Sequence, residues 1–283
     1  MLFITDETID RFIKEDIPYI DLTTHVLDIG NRIGSITFTS RQNAVISGTD
    51  EVKRIFEKLG IKINSIIPSG TAVNAGDVFI SAQGTVESLH MAWKVCMNIL
   101  EYCSGIATRT RKLVETAKKI NSRIEVVTTR KIFPGTKELS IKAAMDGGAL
   151  PHRLGLSETI LIFEQHMTFL GGIDGLLSKL DDIKTRAYEK KITVEAKCRE
   201  EAIKLSRSCV DAIQFDKISP KELGEIVYDI RNINPAITLI GTGGINADNI
   251  GEYAATGVDV INTTWVYFGK PADIGVNMEV SKI

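Results

Sequence analysis

The rhythm of hydrophobic and polar residues changes near Asn121. After this residue, short apolar runs alternate with longer segments in which apolar residues recur at helical spacing. The runs that we predict to be buried strands are residues 125–129, 159–163, 192–196, 211–215, 237–240 and 258–261. Such alternation indicates a parallel sheet with right-handed crossovers. Because six strands cannot close an eight-stranded barrel, the pattern predicts an open, incomplete parallel α/β barrel, with a doubly wound sheet as the alternative.

The first 120 residues show a different pattern. Helical periodicity predicts helices over residues 5–16, 50–59, 85–102 and 106–120, and Ser104 and Gly105 are expected to break the last two apart. Short β-rich pieces at 35–40, 43–47 and 77–82 are separated by residues typical of tight turns. This part of the chain therefore predicts a small sheet with accompanying helices.

Composition narrows the class of protein. The 283 residues are 43% hydrophobic, and 34 basic against 36 acidic residues leave a net charge of -2, which gives no indication of a nucleic acid or membrane partner. The N-terminus lacks the features of a signal peptide, so we expect a cytoplasmic protein. The four cysteines show no CxxC spacing and are expected to be reduced packing residues. The expected partner is a small molecule.

Polar residues follow the end of every predicted strand. Since the carboxyl ends of parallel strands meet at one edge of a sheet, where α/β proteins bind ligands, we expect these side chains to surround one pocket. They are Arg130, Lys131, Glu164, Gln165, His166, Glu195, Lys197, Asp216, Lys217, Gly241, Thr242, Gly243, Gly244, Asn262, Thr263 and Thr264.

A second basic pair follows the first after a predicted turn and helix. His152 and Arg153 lie 22 residues beyond Arg130 and Lys131, a separation that allows the two pairs to fold onto one mouth. Arginine offers a rigid fork of donors that suits carboxylate and phosphate. An isolated basic pair is usually just solvated, but together with the other strand ends these residues predict a site for an anionic small molecule.

A glycine-rich turn follows the fifth predicted strand. Thr242, Gly243 and Gly244 precede a helix that we predict to begin near Asn246. Glycine lets the backbone approach a ligand, and the free N–H groups at a helix start attract phosphate. The turn therefore predicts a phosphate site, with a plain loop as the alternative.

Two carboxylates lie on consecutive predicted strands. Glu195 and Asp216 offer hard oxygen ligands that suit Mg²⁺ bound through a substrate's phosphates, although each could instead pair with Lys197 or Lys217. Two enzyme classes use such parts. One is a lyase that forms a Schiff base on Lys131 or Lys217, and the other transfers a sugar phosphate from a diphosphate donor.

Several motifs together resemble one known family, the quinolinate phosphoribosyltransferases, which are the nicotinate-nucleotide pyrophosphorylases of NAD synthesis. The motifs are EDIPYIDLTT at 15–24, SGIATRT at 104–110, TRKIFPG at 129–135, GGALPHR at 147–153, VEA at 194–196, FD at 215–216 and TGGI at 242–245. The resemblance extends over nearly the whole chain. It implies an N-terminal α/β sandwich domain at 1–105, joined by a returning tail at 271–283, and a barrel domain at 106–270.

The resemblance also implies a reaction and a partner for it. Members of the family transfer phosphoribose from phosphoribosyl pyrophosphate to a small aromatic acid and release pyrophosphate, with Mg²⁺ as cofactor. They form homodimers, or higher oligomers built from dimers, in which the neighbouring subunit completes the site. With quinolinate as the acid, decarboxylation follows the transfer.

The roles that the resemblance implies divide the candidate residues into three groups. Lys131, Glu195 and Asp216 are the expected catalytic residues, Lys131 contacting the donor and the two carboxylates holding Mg²⁺ or the donor's ribose. The residues expected to bind the acid are Lys94, Arg130, His152, Arg153 and Lys217. Those expected to bind the donor's phosphate are Thr242, Gly243, Gly244, Thr263 and Thr264.

Three departures from the family pattern concern the acid. Lys94 stands where the family has an arginine, Phe163 where it has an active-site lysine, and Lys217 where it has an asparagine. These changes resemble the ModD branch, named for its association with molybdate transport, and the acid need not be quinolinate. A sensor of an anionic metabolite, without catalysis and tied to molybdate, is a further alternative that the missing lysine favours.

Overall fold

The computed structural model describes residues 2–281. Its α-helices are α1 (Asp6–Asp16), α2 (Leu22–Val26), α3 (Thr49–Lys58), α4 (Val86–Ile120), α5 (Lys137–Asp146), α6 (Glu164–Met167), α7 (Gly172–Leu177), α8 (Leu180–Arg186), α9 (Arg199–Ser206), α10 (Pro220–Ile233) and α11 (Ile250–Ala254). Its strands are β1 (Ile33–Ser40), β2 (Ala44–Val45), β3 (Lys62–Ile66), β4 (Ala72–Val73), β5 (Val78–Thr85), β6 (Glu125–Thr128), β7 (Leu150–Pro151), β8 (Ile160–Ile162), β9 (Ile192–Ala196), β10 (Ala212–Asp216), β11 (Thr238–Thr242), β12 (Val260–Thr263) and β13 (Ile274–Val280). Short 3₁₀ helices cover Thr168–Leu170 and Trp265–Tyr267. Of the helices in this part of the chain, none has both the length and the apolar composition of a membrane span.

The described residues form two compact units. The first contains residues 2–111, 133–148 and 267–281, and the second contains residues 112–132 and 149–266. The segment 133–148 joins the first unit because α5 is anchored there by polar bonds. The buried Nζ of Lys142 lies 2.6 Å from Glu51 and 2.7 Å from Asp50, and Ser47 donates to Asp146 at 2.6 Å. These limits differ from the predicted domain boundaries of 105/106 and 270/271, which did not assign this segment to the first unit.

The first unit is built on a four-stranded antiparallel sheet in the order β13-β1-β5-β3, with a small β2-β4 pair beside it. Alternate residues of β1 are buried, as expected for a strand with one face on a core, and Phe38 lies 6.4 Å, between ring centroids, from both Phe56 and Phe79. The C-terminal tail returns to this sheet, since β13 pairs with β1 from Gly34↔Val280 to Ser40↔Ile274. The predicted small sheet and the returning tail are both present.

Helix α4 corrects one prediction. The expected break at Ser104 and Gly105 does not occur, because α4 continues from Val86 to Ile120. Gly105 instead allows a close approach, since a Cβ atom there would lie 2.9 Å from the carbonyl oxygen of Lys270 and 3.0 Å from Cα of Pro271. Ser104 uses its hydroxyl to accept the backbone N–H of Ser47 at 3.0 Å. Both residues serve packing rather than helix termination.

The second unit confirms the predicted open barrel. Its seven strands pair in parallel in the order β7-β6-β12-β11-β10-β9-β8. The edge strands β7 and β8 each have one neighbour and do not pair with each other, so the sheet does not close. The six predicted strands all appear within a few residues of their expected limits. The seventh, β7, has only two residues and ends in Pro151, and so leaves no periodic signal.

Most helices that lie within this unit are short. Only α10 reaches fourteen residues, and Ser219 caps it by accepting the N–H of Glu222 at 3.4 Å. The helix expected near Asn246 begins only at Ile250, because Asn246 and Asn249 instead form side-chain bonds to nearby backbone groups. The glycine turn is therefore followed by a loop rather than by a helix start.

Register places the polar residues of the strands on one face. In parallel pairing, directly paired residues point to the same side, and Glu195 pairs with Gln214 while Asp216 pairs with Thr242 and Thr242 with Asn262. Four buried apolar residues cluster in these strands, Val127, Ala212, Ile240 and Val260. The polar face therefore lies at the carboxyl ends of the strands, next to an apolar base.

We expect Gly105→Ala to destabilise the protein by about 1–3 kcal/mol, because the added methyl group would overlap fixed backbone atoms of Lys270 and Pro271. Thermal unfolding followed by circular dichroism measures the change. The matched control is Gly224→Ala in α10, where a Cβ meets no atom within 4 Å and where alanine favours the helix by roughly 0.5–1 kcal/mol. Equal melting temperatures for wild type and Gly105→Ala would contradict the packing role.

Candidate active site

A cleft at the carboxyl ends of the second unit's strands consists of two adjoining chambers of about 320 and 400 Å³. We call the first the cation chamber, because it alone is lined by Arg130, His152 and Arg153. The second is the glycine chamber, because it alone is lined by Gly243 and Gly244. The residues that line both are Thr129, Lys131, Asp216, Thr242 and Asn262. The chambers thus share a wall and can hold two parts of one reacting complex.

The structure brings together all but one of the residues that were given a catalytic or binding role. Those lining the cation chamber, the shared wall or the glycine chamber are Arg130, Lys131, His152, Arg153, Glu195, Asp216, Lys217, Thr242, Gly243, Gly244, Thr263 and Thr264. Their individual roles remain predictions. Lys94 belongs to the first unit and does not line the cleft; it is exposed, and its Nζ lies 4.2 Å from the centroid of the Trp93 ring. Of the other residues expected at the strand ends, Gln165 and Asn262 line the cleft, whereas Glu164, His166, Lys197 and Gly241 do not.

The basic residues of the cation chamber come from β6 and β7. Arg130 and Lys131 follow β6. His152 directly follows β7 and continues the pairing with β6 by donating its N–H to the carbonyl of Thr128 at 2.9 Å. Burial lowers the pKa of His152, and the charge of Arg153 lowers it further. His152 is therefore a neutral donor near pH 7, while Arg153, buried to 7% exposure, and Arg130 carry the positive charge.

Glu195 is the half-buried acid of the cation chamber. Burial raises its pKa, Gln214 opposes this by donating from Nε2 to Oε2 at 3.0 Å, and the nearby charge of Asp216 raises the pKa again. Lys197, one of the lysines considered as its partner, pairs with Glu164 instead. Among residues 2–281, no ion pair within 4 Å joins a lysine to Glu195 or Asp216, although the charge of Lys131 acts to lower the pKa of Glu195. Both carboxylates are therefore available to a cation or a ligand.

The glycine chamber depends on the tight turn at Gly243. Its φ of +87° favours glycine, and a Cβ there would overlap the Asp216 carboxylate and lie 2.6 Å from the backbone nitrogen of Lys217. Lys217 itself has φ +59°, which a non-glycine residue rarely adopts, and its N–H donates to the carbonyl of Thr242 at 2.9 Å. The two strand ends β10 and β11 are thereby held close together.

Threonine hydroxyls fix the rim of this chamber. Thr129 and Thr264 join through their hydroxyls at 2.7 Å, and Thr242 donates to the carbonyl of Asn262 at 2.9 Å. The hydroxyl of Thr263 donates to the carbonyl of Ile245 at 2.7 Å and accepts the N–H of Trp265 at 3.1 Å. Because Thr263 is buried and its hydroxyl is used within the protein, it supports the chamber's shape.

Sequence reasoning missed Gln214, Leu161 and Trp265 and undervalued two other side chains of the cleft. Gln214 was not considered, although it stands two positions before Asp216 and strand alternation alone places both on one face. Asn262 was considered only as a strand end. Phe163 was noted as a substitution and now proves to line the cation chamber, where its ring stacks on His166 with centroids 5.9 Å apart.

Two family models match this chain almost end to end. The quinolinate phosphoribosyl transferase N-terminal domain matches residues 21–104, and the C-terminal domain of the same family matches residues 106–277. The chain belongs to the quinolinate phosphoribosyl transferase family. The resemblance inferred from its motifs is confirmed.

Relatives within the family include the ModD protein of Escherichia coli O127:H6, whose assignment as a pyrophosphorylase is itself provisional. It is 35% identical over 279 residues, covering 99% of this chain and 98% of its own. The nicotinate-nucleotide pyrophosphorylase assigned in Methanothermobacter thermautotrophicus is 27% identical over 276 residues, covering 96% and 98%. The chain is therefore similar to both branches, and its likeness to ModD is the greater of these two.

Solved structures share the fold. The nicotinate-nucleotide pyrophosphorylase of Ehrlichia chaffeensis superposes with a TM-score of 0.90 over 99% of this chain and 100% of its own, at 24% identity. The open barrel of the second unit and the antiparallel sheet of the first are thus the family's architecture.

We expect Glu195→Gln to raise the melting temperature at pH 7–8. The raised pKa of Glu195 means that its ionised form destabilises the fold, so its contribution is most favourable below the unfolded value of 4.5 and is lost as pH rises through the folded pKa. The gain should therefore shrink toward zero as pH falls to 4.5. Thermal unfolding across this range tests it, with the exposed Glu189→Gln as the control. A gain in melting temperature that is independent of pH would contradict a raised pKa for Glu195.

Proposed function

We propose that this member of the quinolinate phosphoribosyl transferase family, a pentosyltransferase, transfers the phosphoribosyl group of phosphoribosyl pyrophosphate to a ring nitrogen of a heteroaromatic acid. The observation that carries the proposal is the two-chamber cleft, in which a cationic chamber and a glycine-walled chamber share Lys131 and Asp216. One chamber suits an acid and the other a phosphate, and the shared wall is where the two substrates would meet.

The cation chamber would bind the acid. Arg130 and Arg153 offer charged donors to a carboxylate, and neutral His152 offers one more hydrogen bond without adding charge. Phe163 and Leu161 supply apolar surface for a flat ring. These residues would orient the ring so that one nitrogen faces the shared wall.

The glycine chamber would bind the donor's 5-phosphate. Gly243 and Gly244 let the phosphate approach the backbone, and Thr264 adds a hydroxyl at the rim. In the transfer, the ring nitrogen forms a bond to the anomeric carbon as the carbon–oxygen bond to pyrophosphate breaks, and the pyrophosphate keeps the electron pair. Lys131, on the shared wall, would hold the leaving group by charge.

Glu195 and Asp216 fit Mg²⁺ as a cofactor. Magnesium commonly takes one or two protein carboxylates and completes its shell with phosphates and water, so the fact that no three His, Cys, Asp or Glu side chains converge within residues 2–281 does not argue against it. The charge of Asp216 already raises the pKa of Glu195, a repulsion that a cation would relieve. When bound, the metal would neutralise charge on the departing pyrophosphate.

A homodimer in the cytoplasm is also part of the proposal. Large exposed apolar side chains gather around α2 of the first unit, including Tyr19, Leu22 and Val26, and such a patch suits a subunit contact. Lys94 would reach the cleft of the neighbouring subunit. The cysteines of the described residues are free, as is usual in the cytoplasm. A link to molybdate transport rests on the ModD resemblance alone.

The direct test combines calorimetry with a screen for pyrophosphate release. We expect phosphoribosyl pyrophosphate to bind in the presence of Mg²⁺ and more weakly with EDTA, and at least one heteroaromatic acid to cause stoichiometric release of pyrophosphate. The sensor alternative predicts thermal stabilisation by an acid without any release. No donor binding at millimolar concentration, with or without Mg²⁺, would refute the proposed transfer.

We expect Arg130→Ala to raise the KM for the acid by about tenfold to a hundredfold, because a charge-assisted hydrogen bond contributes roughly 1.5–3 kcal/mol. The KM for the donor should change much less. Steady-state kinetics with both substrates measure the difference, and Arg207→Ala, an exposed arginine after α9, is the control. An unchanged KM for the acid would remove Arg130 from the acid site.

A further inference from the structure

Two buried amide oxygens in the cleft lack a hydrogen-bond partner. Gln214 is 3% exposed and Asn262 is 5% exposed, and both line the cation chamber. Within the described part of the chain, neither Oε1 of Gln214 nor Oδ1 of Asn262 has a bonding partner. Buried oxygens of this kind are rare in folded proteins, and each costs stability when it stays unpaired.

Glu195 fixes the direction of the Gln214 amide. Nε2 of Gln214 donates to Oε2 of Glu195 at 3.0 Å, and an ionised carboxylate can only accept hydrogen bonds. The amide nitrogen must therefore face Glu195, which leaves Oε1 as the end available to another group. That end is an acceptor, so a group of an organic ligand that pairs with it has to be a hydrogen-bond donor.

The position of Gln214 separates its role from the binding of phosphoribosyl pyrophosphate. Gln214 lines the cation chamber but not the glycine chamber, whereas Asn262 lies on the wall shared by both. The cations come from β6 and β7 at one end of the sheet, and Gln214 and Glu195 come from β10 and β9 toward the other end. A ring held by its carboxylate on Arg130 and Arg153 would thus direct a different edge toward Gln214.

A second carboxylate would be unfavourable on that edge. It would leave both carbonyl oxygens without a partner, because a carboxylate has no N–H or O–H group to donate. A ring N–H, an amino group or a hydroxyl would instead satisfy the oxygens. One end of the cation chamber therefore suits a carboxylate, and the other end suits a group of the ligand that donates a hydrogen bond.

On the basis of the proposed transfer, we propose that the acceptor is a heteroaromatic monocarboxylic acid with a hydrogen-bond donor on the edge away from its carboxylate. Gln214 selects this group by accepting its hydrogen bond, and the carbonyl oxygen of Asn262 is a second acceptor. Phe163 covers a face of the ring, and its backbone N–H donates to Nδ1 of His166 at 3.0 Å, which holds that wall in place. A dicarboxylic acid such as quinolinate is a poor fit.

The test compares three classes of pyridine acid by calorimetry and by pyrophosphate release. They are quinolinate as the dicarboxylate, nicotinate as the unsubstituted monocarboxylate, and the positional isomers of aminonicotinate. We expect at least one aminonicotinate to exceed both others by about tenfold or more, the usual effect of one bond to a buried polar group. Equal or better binding and turnover with quinolinate would overturn the inference and leave the proposed transfer intact.

Gln214→Met removes the amide at similar volume. The ratio of the affinity for aminonicotinate to that for nicotinate should fall close to one, while the binding of phosphoribosyl pyrophosphate persists. Gln83→Met, an exposed glutamine of β5, is the control and should keep the ratio of wild type. An unchanged preference for aminonicotinate over nicotinate in a folded Gln214→Met variant would overturn the inference. So would a loss confined to the binding of phosphoribosyl pyrophosphate. The wild-type comparison of acids decides the question even if the variant fails to fold. Absence of donor binding in wild type would instead refute the proposed transfer.

Discussion

Parallel strand pairing in the second unit is the constraint on which the site depends. Direct register from β9 through β12 puts Glu195, Gln214, Asp216, Thr242 and Asn262 on one face without any further folding information. Strands buried on both faces normally read as continuous apolar runs. Polar residues interrupt these runs near the carboxyl ends of the strands, where burying them lowers the stability of the fold. These residues are the ones that line the cleft.

The same constraint explains the electrostatics of the site. Glu195 is half-buried on β9 beside Gln214, which raises its pKa, whereas Arg130 and Arg153 follow β6 and β7 toward the other end of the sheet. The arginines of the cleft thus gather at β6 and β7, and its two carboxylates at β9 and β10. The separation is a product of topology, since each residue simply follows the strand that carries it.

Sequence alone predicted the features that depend on periodicity. The six longer strands of the barrel and the residues that follow them could be found because β-branched runs and strand ends leave clear signals. Gly105 was misread because a glycine that breaks a helix and one that admits a neighbouring backbone look alike in sequence. Strand β7 is too short to show a period, and Asn246 looked like a helix start because asparagine favours both caps and loops. Gln214 was passed over because an amide inside a strand has no motif, although its spacing from Asp216 was visible.

The division of the cleft into two chambers has a consequence for how such enzymes diversify. Arg130, Phe163 and Gln214 touch only the cation chamber, whereas Gly243 and Gly244 touch only the other. Replacements confined to the cation chamber could therefore change the shape and charge offered to one part of a ligand while the tightly packed turn at Gly243 stays as it is.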